Sequence, residues 1–208
     1  MDLFSLDSVA VLAFSPSAGY PRLTTAILGE LDDLLEQIQG AGLFSALIIA
    51  ANAKSFPTGA DIEEVAAVEG LRAREFAERG QSTCRRLSTF PLPVVAAIRG
   101  YCLGGGLDLA LACQGRVATY DASFGHPGVA LGLVTGWGGT QRLPRLLGKA
   151  AALEMFLTAD RIPATQALTM GLVDALASSL DLLDAAARRV RALRLSPLAG
   201  SRAALEIS

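Results

Sequence analysis

The sequence predicts an α/β fold with parallel strand pairing, and three observations carry that prediction. Apolar strand-like runs alternate with amphipathic helical stretches, the runs at Leu47-Ile48-Ile49-Ala50 and Val94-Val95-Ala96-Ala97-Ile98 are continuous as in strands buried on both faces, and glycine-rich turns follow them. Leu3–Leu6 and Val9–Phe14 read as two short strands around an Asp7-Ser8 turn. Leu23, Ile27, Leu31, Leu34, Leu35 and Ile38 recur at helical spacing with Glu30, Asp32, Asp33 and Glu36 between them, and Gly40 reads as the stop. After the strand at 47–50, Ser55–Gly59 is a turn and a second helical region spans about Ile62 to Leu87. The strand at 94–98 leads into Gly100 and the Gly104-Gly105-Gly106 triplet, and a helix fits Leu107–Ala112. Val117–Thr119 and a segment near Phe124 read as strands. Gly128–Gly139 then holds five glycines and no charge, and helices follow at about 139–147, 150–158 and 180–195, with Pro163 placed to open a short one.

Composition excludes several classes. At 208 residues, 51% apolar and 18% charged, with a net charge of −2, the chain is globular and long enough for one domain or two. Sixteen arginines and two lysines (Lys54, Lys149) are scattered without a run, so no nucleic acid is expected as partner. The N-terminus lacks the basic start and apolar core of a signal peptide. Leu43–Ala51 and Leu103–Cys113 fall short of the roughly 18 apolar residues of a membrane span, so no membrane partner and a cytoplasmic location are expected. Cys84, Cys102 and Cys113 form no CxxC pair and read as buried thiols.

Two stretches place bare backbone amides where a ligand can approach: Phe56–Ile62 after one buried strand, and Gly100–Asp108 after the next. Loops at the C-terminal ends of parallel strands are where α/β sheets bind ligands, and a glycine-rich turn opening a helix directs unpaired N–H groups outward. Tight turning and close strand-to-helix packing would use the same glycines. Neither stretch is GxGxxG, and nothing supplies GxxxxGK[ST], so a phosphate cradle is not supported.

The sequence resembles the crotonase family, the enoyl-CoA hydratases and isomerases. The resemblance rests on Phe56-Pro57-Thr58-Gly59-Ala60-Asp61-Ile62, on Pro93–Ala110 with its Gly104-Gly105-Gly106-Leu107-Asp108 segment, and on Gly136-Trp137-Gly138-Gly139-Thr140-Gln141-Arg142-Leu143. Leu157–Ile162 and Ala167–Val173 carry it to about residue 175. It implies a spiral of repeated strand-strand-helix units over 1–175, followed by a C-terminal helical segment over 176–208 that is shorter than in the family. It further implies an enzyme that binds an acyl-CoA thioester and stabilises its enolate, with no metal or other cofactor, coenzyme A being part of the substrate. A homotrimer or hexamer is the expected assembly.

Residue by residue, the resemblance gives the oxyanion hole to the amides of Ala60 and Gly105. Charge arriving on the thioester oxygen then meets donors already aimed at it. Substrate binding falls to Thr58, Gly59, Asp61, Ile62, Tyr101, Gly104, Gly128 and Trp137. A side chain at Gly105 would obstruct the thioester, and one at Gly59 would strain the turn. The family's hydratases use two glutamates, and both are changed: Asp108 stands at the first position and Gly128 at the second. The family's dienoyl isomerases carry an Asp at the first position but add acids that would fall at Gly128 and Gly136. Asp108 is therefore either the remaining acid-base group or an acid that merely favours a helix N-terminus. His126, the only histidine, lies two residues before the missing acid and either replaces it or is structural. Trp137 lines the acyl pocket or closes the core, Tyr101 lines it or satisfies a backbone group, and Asp61 binds or holds its loop. Two other readings stay open: an acyl-CoA-binding protein without hydratase turnover, and a thioester hydrolase or decarboxylase. The 15–22 loop departs from the family's pattern and leaves the adenine contacts unassigned.

Overall fold

The computed structural model describes residues 1–195 except 17, 18 and 53. Asp2–Leu6 (β1) and Val9–Phe14 (β2) form the expected antiparallel pair, with Asp7 at a positive φ of 53° in the turn. Thr25–Ala41 (α1) is capped by Thr24, whose hydroxyl accepts from the Ile27 amide, and it buries Leu28, Leu31, Leu35 and Ile38. Gly40 does not stop this helix. Gly42, at φ 63°, is the residue that takes the left-handed conformation ending it.

Ala46–Ala51 (β3) runs parallel to β2, and the helical region expected over 62–87 is two helices, Ile62–Ala66 (α2) and Leu71–Ser88 (α3). Gly70 at φ 55° breaks between them. Val94–Ile98 (β4) pairs parallel with β3. The short strand Tyr101–Leu103 (β5) precedes Gly105–Ala112 (α4), which starts within the glycine triplet rather than at Leu107. Gly115–Thr119 (β6), Ser123–Gly125 (β7), Gly139–Leu147 (α5), Lys149–Leu157 (α6), Ile162–Pro163 (β8), Ala164–Met170 (α7), Ala175–Ala177 (β9) and Leu182–Leu195 (α8) complete the order. The main sheet is β1-β2-β3-β4-β6-β9, parallel throughout except for β1, and β5-β7-β8 form a small second sheet. The two- and three-residue strands β5, β8 and β9 carry too little pattern to be read from sequence. The boundary drawn at residue 175 falls on the first residue of β9, and residues 196–208 lie outside the described residues.

The central strands bury both faces, as their continuous apolar runs predict, and alternate residues divide between two cores. Val9, Val11, Ile48, Val95, Ala97 and Val117 pack with Leu182, Ala186, Val190 and Leu193 of α8. Leu12, Phe14, Leu47, Ile49, Ala96 and Ile98 join a larger cluster with α1, α3 and α4.

The segment after β3 is tied to the segment after β4 by backbone-level bonds. The Phe56 amide donates to the Arg99 carbonyl at 2.8 Å, and the Ser55 hydroxyl donates to the Tyr101 carbonyl at 2.8 Å while accepting from its amide at 3.0 Å. The approach is closest at Gly106, where a Cβ would sit 1.8 Å from the Pro57 carbonyl oxygen. Gly106→Ala is expected to destabilise the fold by about 3 kcal/mol, because backbone cannot yield as a flexible side chain would. Urea unfolding checks this through a lowered midpoint at unchanged slope.

Candidate functional site

The loop after β3 and the start of α4 enclose one side of a cavity of about 430 Å³. Thr58, Gly59, Ala60 and Ile62 line it from the loop and the α2 end, and Gly104, Gly105 and Asp108 line it from the glycine turn and α4. Val65, Phe76, Leu131, Leu133, Val134 and Phe156 make most of the remaining wall apolar.

Ala60 and Gly105 both line this wall, on segments that approach closely. A Cβ at Gly59 would lie 3.4 Å from the Gly105 nitrogen and 3.2 Å from the Leu103 carbonyl oxygen, and Gly59 has φ 112°, so the turn admits no side chain. Leu23 brackets the loop, its amide donating to the Gly59 carbonyl at 2.9 Å and its carbonyl accepting from the Asp61 amide at 3.4 Å. Among the described residues, the Ala60 and Gly105 amides donate to no backbone carbonyl. Gly105 is the first residue of α4, where helical amides have no intrahelical acceptor. Its glycine requirement differs from the expected one: a Cβ there would meet the Trp137 ring at 2.5 Å, so what it would obstruct is the indole.

Asp108 is fully buried in the first turn of α4. Its Oδ2 accepts from the Thr135 hydroxyl and from the Trp137 amide at 3.0 Å. Its Oδ1 has no hydrogen-bond partner and lies 3.9 Å from His126 Nε2, too far for a direct hydrogen bond. Both ring nitrogens of His126 are likewise buried and unpartnered, and the ring leans on Phe156 with centroids 5.1 Å apart. Burial pushes the Asp108 carboxyl up to about 6, against the opposing pull of the Thr135 and Trp137 hydrogen bonds and the Arg142 charge. Burial pulls His126 down to about 4. At neutral pH the imidazole is therefore uncharged, and the carboxylate is ionised but close to its titration range.

Of the residues expected to bind substrate, Thr58, Gly59, Ile62, Gly104, Gly128 and Trp137 line the cavity with Ala60, Gly105, Asp108 and His126. Asp61 and Tyr101 are not brought to it. Asp61 caps α2, accepting from the Glu63 and Glu64 amides at 3.0 and 3.1 Å, and pairs with Arg22 at 3.0 Å. Those donors hold its carboxyl below the usual range. The Tyr101 ring packs edge-on against Tyr20 and under the Arg161 guanidinium. Trp137 is buried against Phe76, Gly80 and Gly105, so it closes the core and lines the cavity at once. Thr135 is the site residue that sequence reasoning missed. Its only signal was a lone hydroxyl in the uncharged 128–139 stretch. The three cysteines are buried and free, with their thiols pushed up by burial. Among the described residues, no three His, Cys, Asp or Glu side chains gather as metal ligands would, and no helix is long and apolar enough to cross a membrane.

The sequence matches the enoyl-CoA hydratase/isomerase family over residues 7–207, and the chain belongs to that family. An enoyl-CoA hydratase from Bacillus anthracis is 32% identical at a TM-score of 0.87, covering 93% of this chain and 76% of its own. DspI of Pseudomonas aeruginosa is 32% identical at 0.86, with 96% and 82% covered. An enoyl-CoA hydratase/isomerase from Xanthobacter autotrophicus Py2 is 28% identical at 0.86, with 97% and 76% covered.

The opposed shifts of Asp108 and His126 predict a cancellation. A carboxyl raised from 3.8 to about 6 makes the fold less stable as pH rises through that window, since the unfolded chain gives up its proton first. A histidine lowered from 6.5 to about 4 makes the fold more stable as pH rises over nearly the same window. Each is worth about 3 kcal/mol. Urea unfolding between pH 4 and 7 should show little net slope from this pair in the wild type, a rising stability in Asp108→Asn and a falling one in His126→Phe.

Proposed function

We propose that this chain is an acyl-CoA enzyme that forms and stabilises a thioester enolate, with the thioester oxygen held by the amides of Ala60 and Gly105 and a proton moved by Asp108. The observation that carries the reading is the meeting, on one wall of an apolar cavity, of two amides without backbone acceptors and a buried carboxylate with one free oxygen. A carbonyl oxygen that gains charge is stabilised most by donors already in place in a water-poor site, and one such donor is typically worth roughly 3 kcal/mol. The apolar wall suits an acyl chain, and a carboxyl at about 6 is matched to taking a proton near neutral pH and giving it back.

Asp108 is the only carboxylate lining the cavity among the described residues. That observation favours, as a second reading, a protein that binds acyl-CoA without turnover. The leading reading predicts that Asp108→Asn keeps crotonyl-CoA or butyryl-CoA binding within a few-fold while turnover or α-proton exchange falls about 100-fold or more. Calorimetry and a coupled kinetic assay separate the two. Tight binding with no chemistry in the wild type on any enoyl-, β-ketoacyl- or malonyl-type thioester establishes the binding protein, and tight NAD binding without a response to acyl-CoA rejects both. Self-association into a trimer or hexamer belongs to the same proposal. Exposed Leu131, Val134, Leu153 and Leu157 support it, and sedimentation tests it.

A further inference from the structure

One side of the cavity is closed by a single ring held from two helices. The Trp137 indole is wedged between α3 and α4 at two positions that carry no side chain: a Cβ at Gly80 would stand 2.2 Å from its Nε1 and Cε2, and one at Gly105 would stand 2.5 Å from its Cζ3. Gly80 is buried and Gly105 lines the cavity, so the ring reaches from the packed interface of the two helices to the wall. Its backbone is tied to both helices. The Trp137 amide donates to Asp108 Oδ2 of α4 at 3.0 Å, the Gln81 side-chain amide of α3 donates to the Gly136 carbonyl at 2.9 Å, and Arg142 donates to the carbonyls of Trp137 and of Cys84 on α3. Phe76, one turn before Gly80, packs on the indole with centroids 5.5 Å apart. A ring packed this closely yields only if its neighbours move. The rest of the wall has nothing to pair with an anion. Among the described residues no Lys or Arg lines it, Asp108 is its one carboxylate, and the hydroxyls of Thr58 and Thr135 donate to the Pro21 carbonyl and to Asp108. The indole nitrogen lies on the edge turned to Gly80.

Resting on the acyl-CoA reading, we propose that Trp137 is the specificity-determining residue of the site: its indole is the fixed stop that limits the size of the acyl group, and the acyl group taken is uncharged and apolar. The six-membered ring lies against the same Gly105 whose amide is given to the thioester oxygen, so an acyl group bound there meets the indole first. Each methylene moved from water onto an apolar wall strengthens binding about fourfold. That gain continues while Val65, Phe76, Leu133 and Phe156 offer surface, and it ends where the ring stands. A terminal carboxylate in place of the methyl group loses its water, finds no cation and meets the charge of Asp108. Gly80 and Gly105 belong to the same device, because a side chain at either position would displace the indole that they admit.

Trp137 is the only tryptophan, so its fluorescence reports on the acyl group directly. The test titrates the wild type, Trp137→Phe and Trp137→Ala by calorimetry with free CoA and with butyryl-, hexanoyl-, octanoyl-, dodecanoyl- and glutaryl-CoA, and follows the wild-type emission alongside. Wild-type affinity should rise from butyryl to an optimum and fall again by dodecanoyl, the emission should move with the acyl thioesters and not with free CoA, and glutaryl-CoA should bind about 30-fold more weakly than hexanoyl-CoA. Trp137→Ala should raise the ratio of dodecanoyl to butyryl affinity about tenfold or more. Trp137→Phe keeps an aromatic ring in the core and should raise that ratio about threefold, so the result stands if the alanine variant fails to fold. A ratio unchanged in Trp137→Phe, an affinity that climbs to dodecanoyl without a stop, equal binding of glutaryl- and hexanoyl-CoA, or an emission indifferent to the acyl group each overturns this inference while leaving the acyl-CoA reading standing. Absence of binding to every one of these thioesters removes the acyl-CoA reading itself, and with it this assignment.

Discussion

The cavity depends on how closely two backbone segments approach. The loop after β3 and the turn that opens α4 meet at Pro57 and Gly106 with no room for a single methyl group, and every other feature of the site is set from that contact. It is maintained by bonds at its edges, from Phe56 to Arg99 and from Ser55 to Tyr101, and by Leu23 bracketing Gly59. Because these are backbone-level constraints on parallel strands buried on both faces, the amides of Ala60 and Gly105, the donors of the proposed function, would need no rearrangement to receive a ligand. Donors that need no reorganisation are those that stabilise developing charge best.

The same enclosure sets the electrostatics. Removing Asp108 and His126 from water disfavours the charged form of each, raising the acid and lowering the base. The carboxylate keeps its charge at neutral pH through the hydrogen bonds of Thr135 and Trp137 and the nearby Arg142. Arg142 is in turn satisfied by the carbonyls of Trp137 and Cys84, so the helix that carries it, the indole below the cavity and the carboxylate form one connected unit. The glycines at 105 and 139 belong to this unit: one makes room for the Trp137 ring, the other for Asp108 Oδ1.

Periodicity made the long elements legible. The apolar runs of β2, β3 and β4 and the heptad-like spacing of α1 depend on neighbours in the chain, so they appear in sequence as they do in space. Helix ends were less legible, because Gly40 and Gly42 are both plausible stops and only the backbone conformation chooses Gly42. The strands β5, β8 and β9 are too short to carry a period; they exist because a partner strand supplies their hydrogen bonds. The glycine-rich stretches announced a ligand-facing loop, but Asp61 and Tyr101, which sit in or beside those stretches, turn away from the cavity to cap a helix and to stack on Tyr20.

The sequence by itself determined the α/β class, the family resemblance, the two glycine-rich loops, and the presence of Asp108 and Gly128 where the resemblance leads one to expect glutamates, because each is written in local pattern or in residue identity. Only the tertiary structure decided what Asp108 faces. Residues 108, 126 and 135 lie on separate elements, and their convergence follows from packing α4 against the 126–139 segment. The 3.9 Å approach of Oδ1 to an imidazole nitrogen, and the capture of Oδ2 by Thr135, are consequences of packing. No residue carries those in its own neighbourhood of the chain.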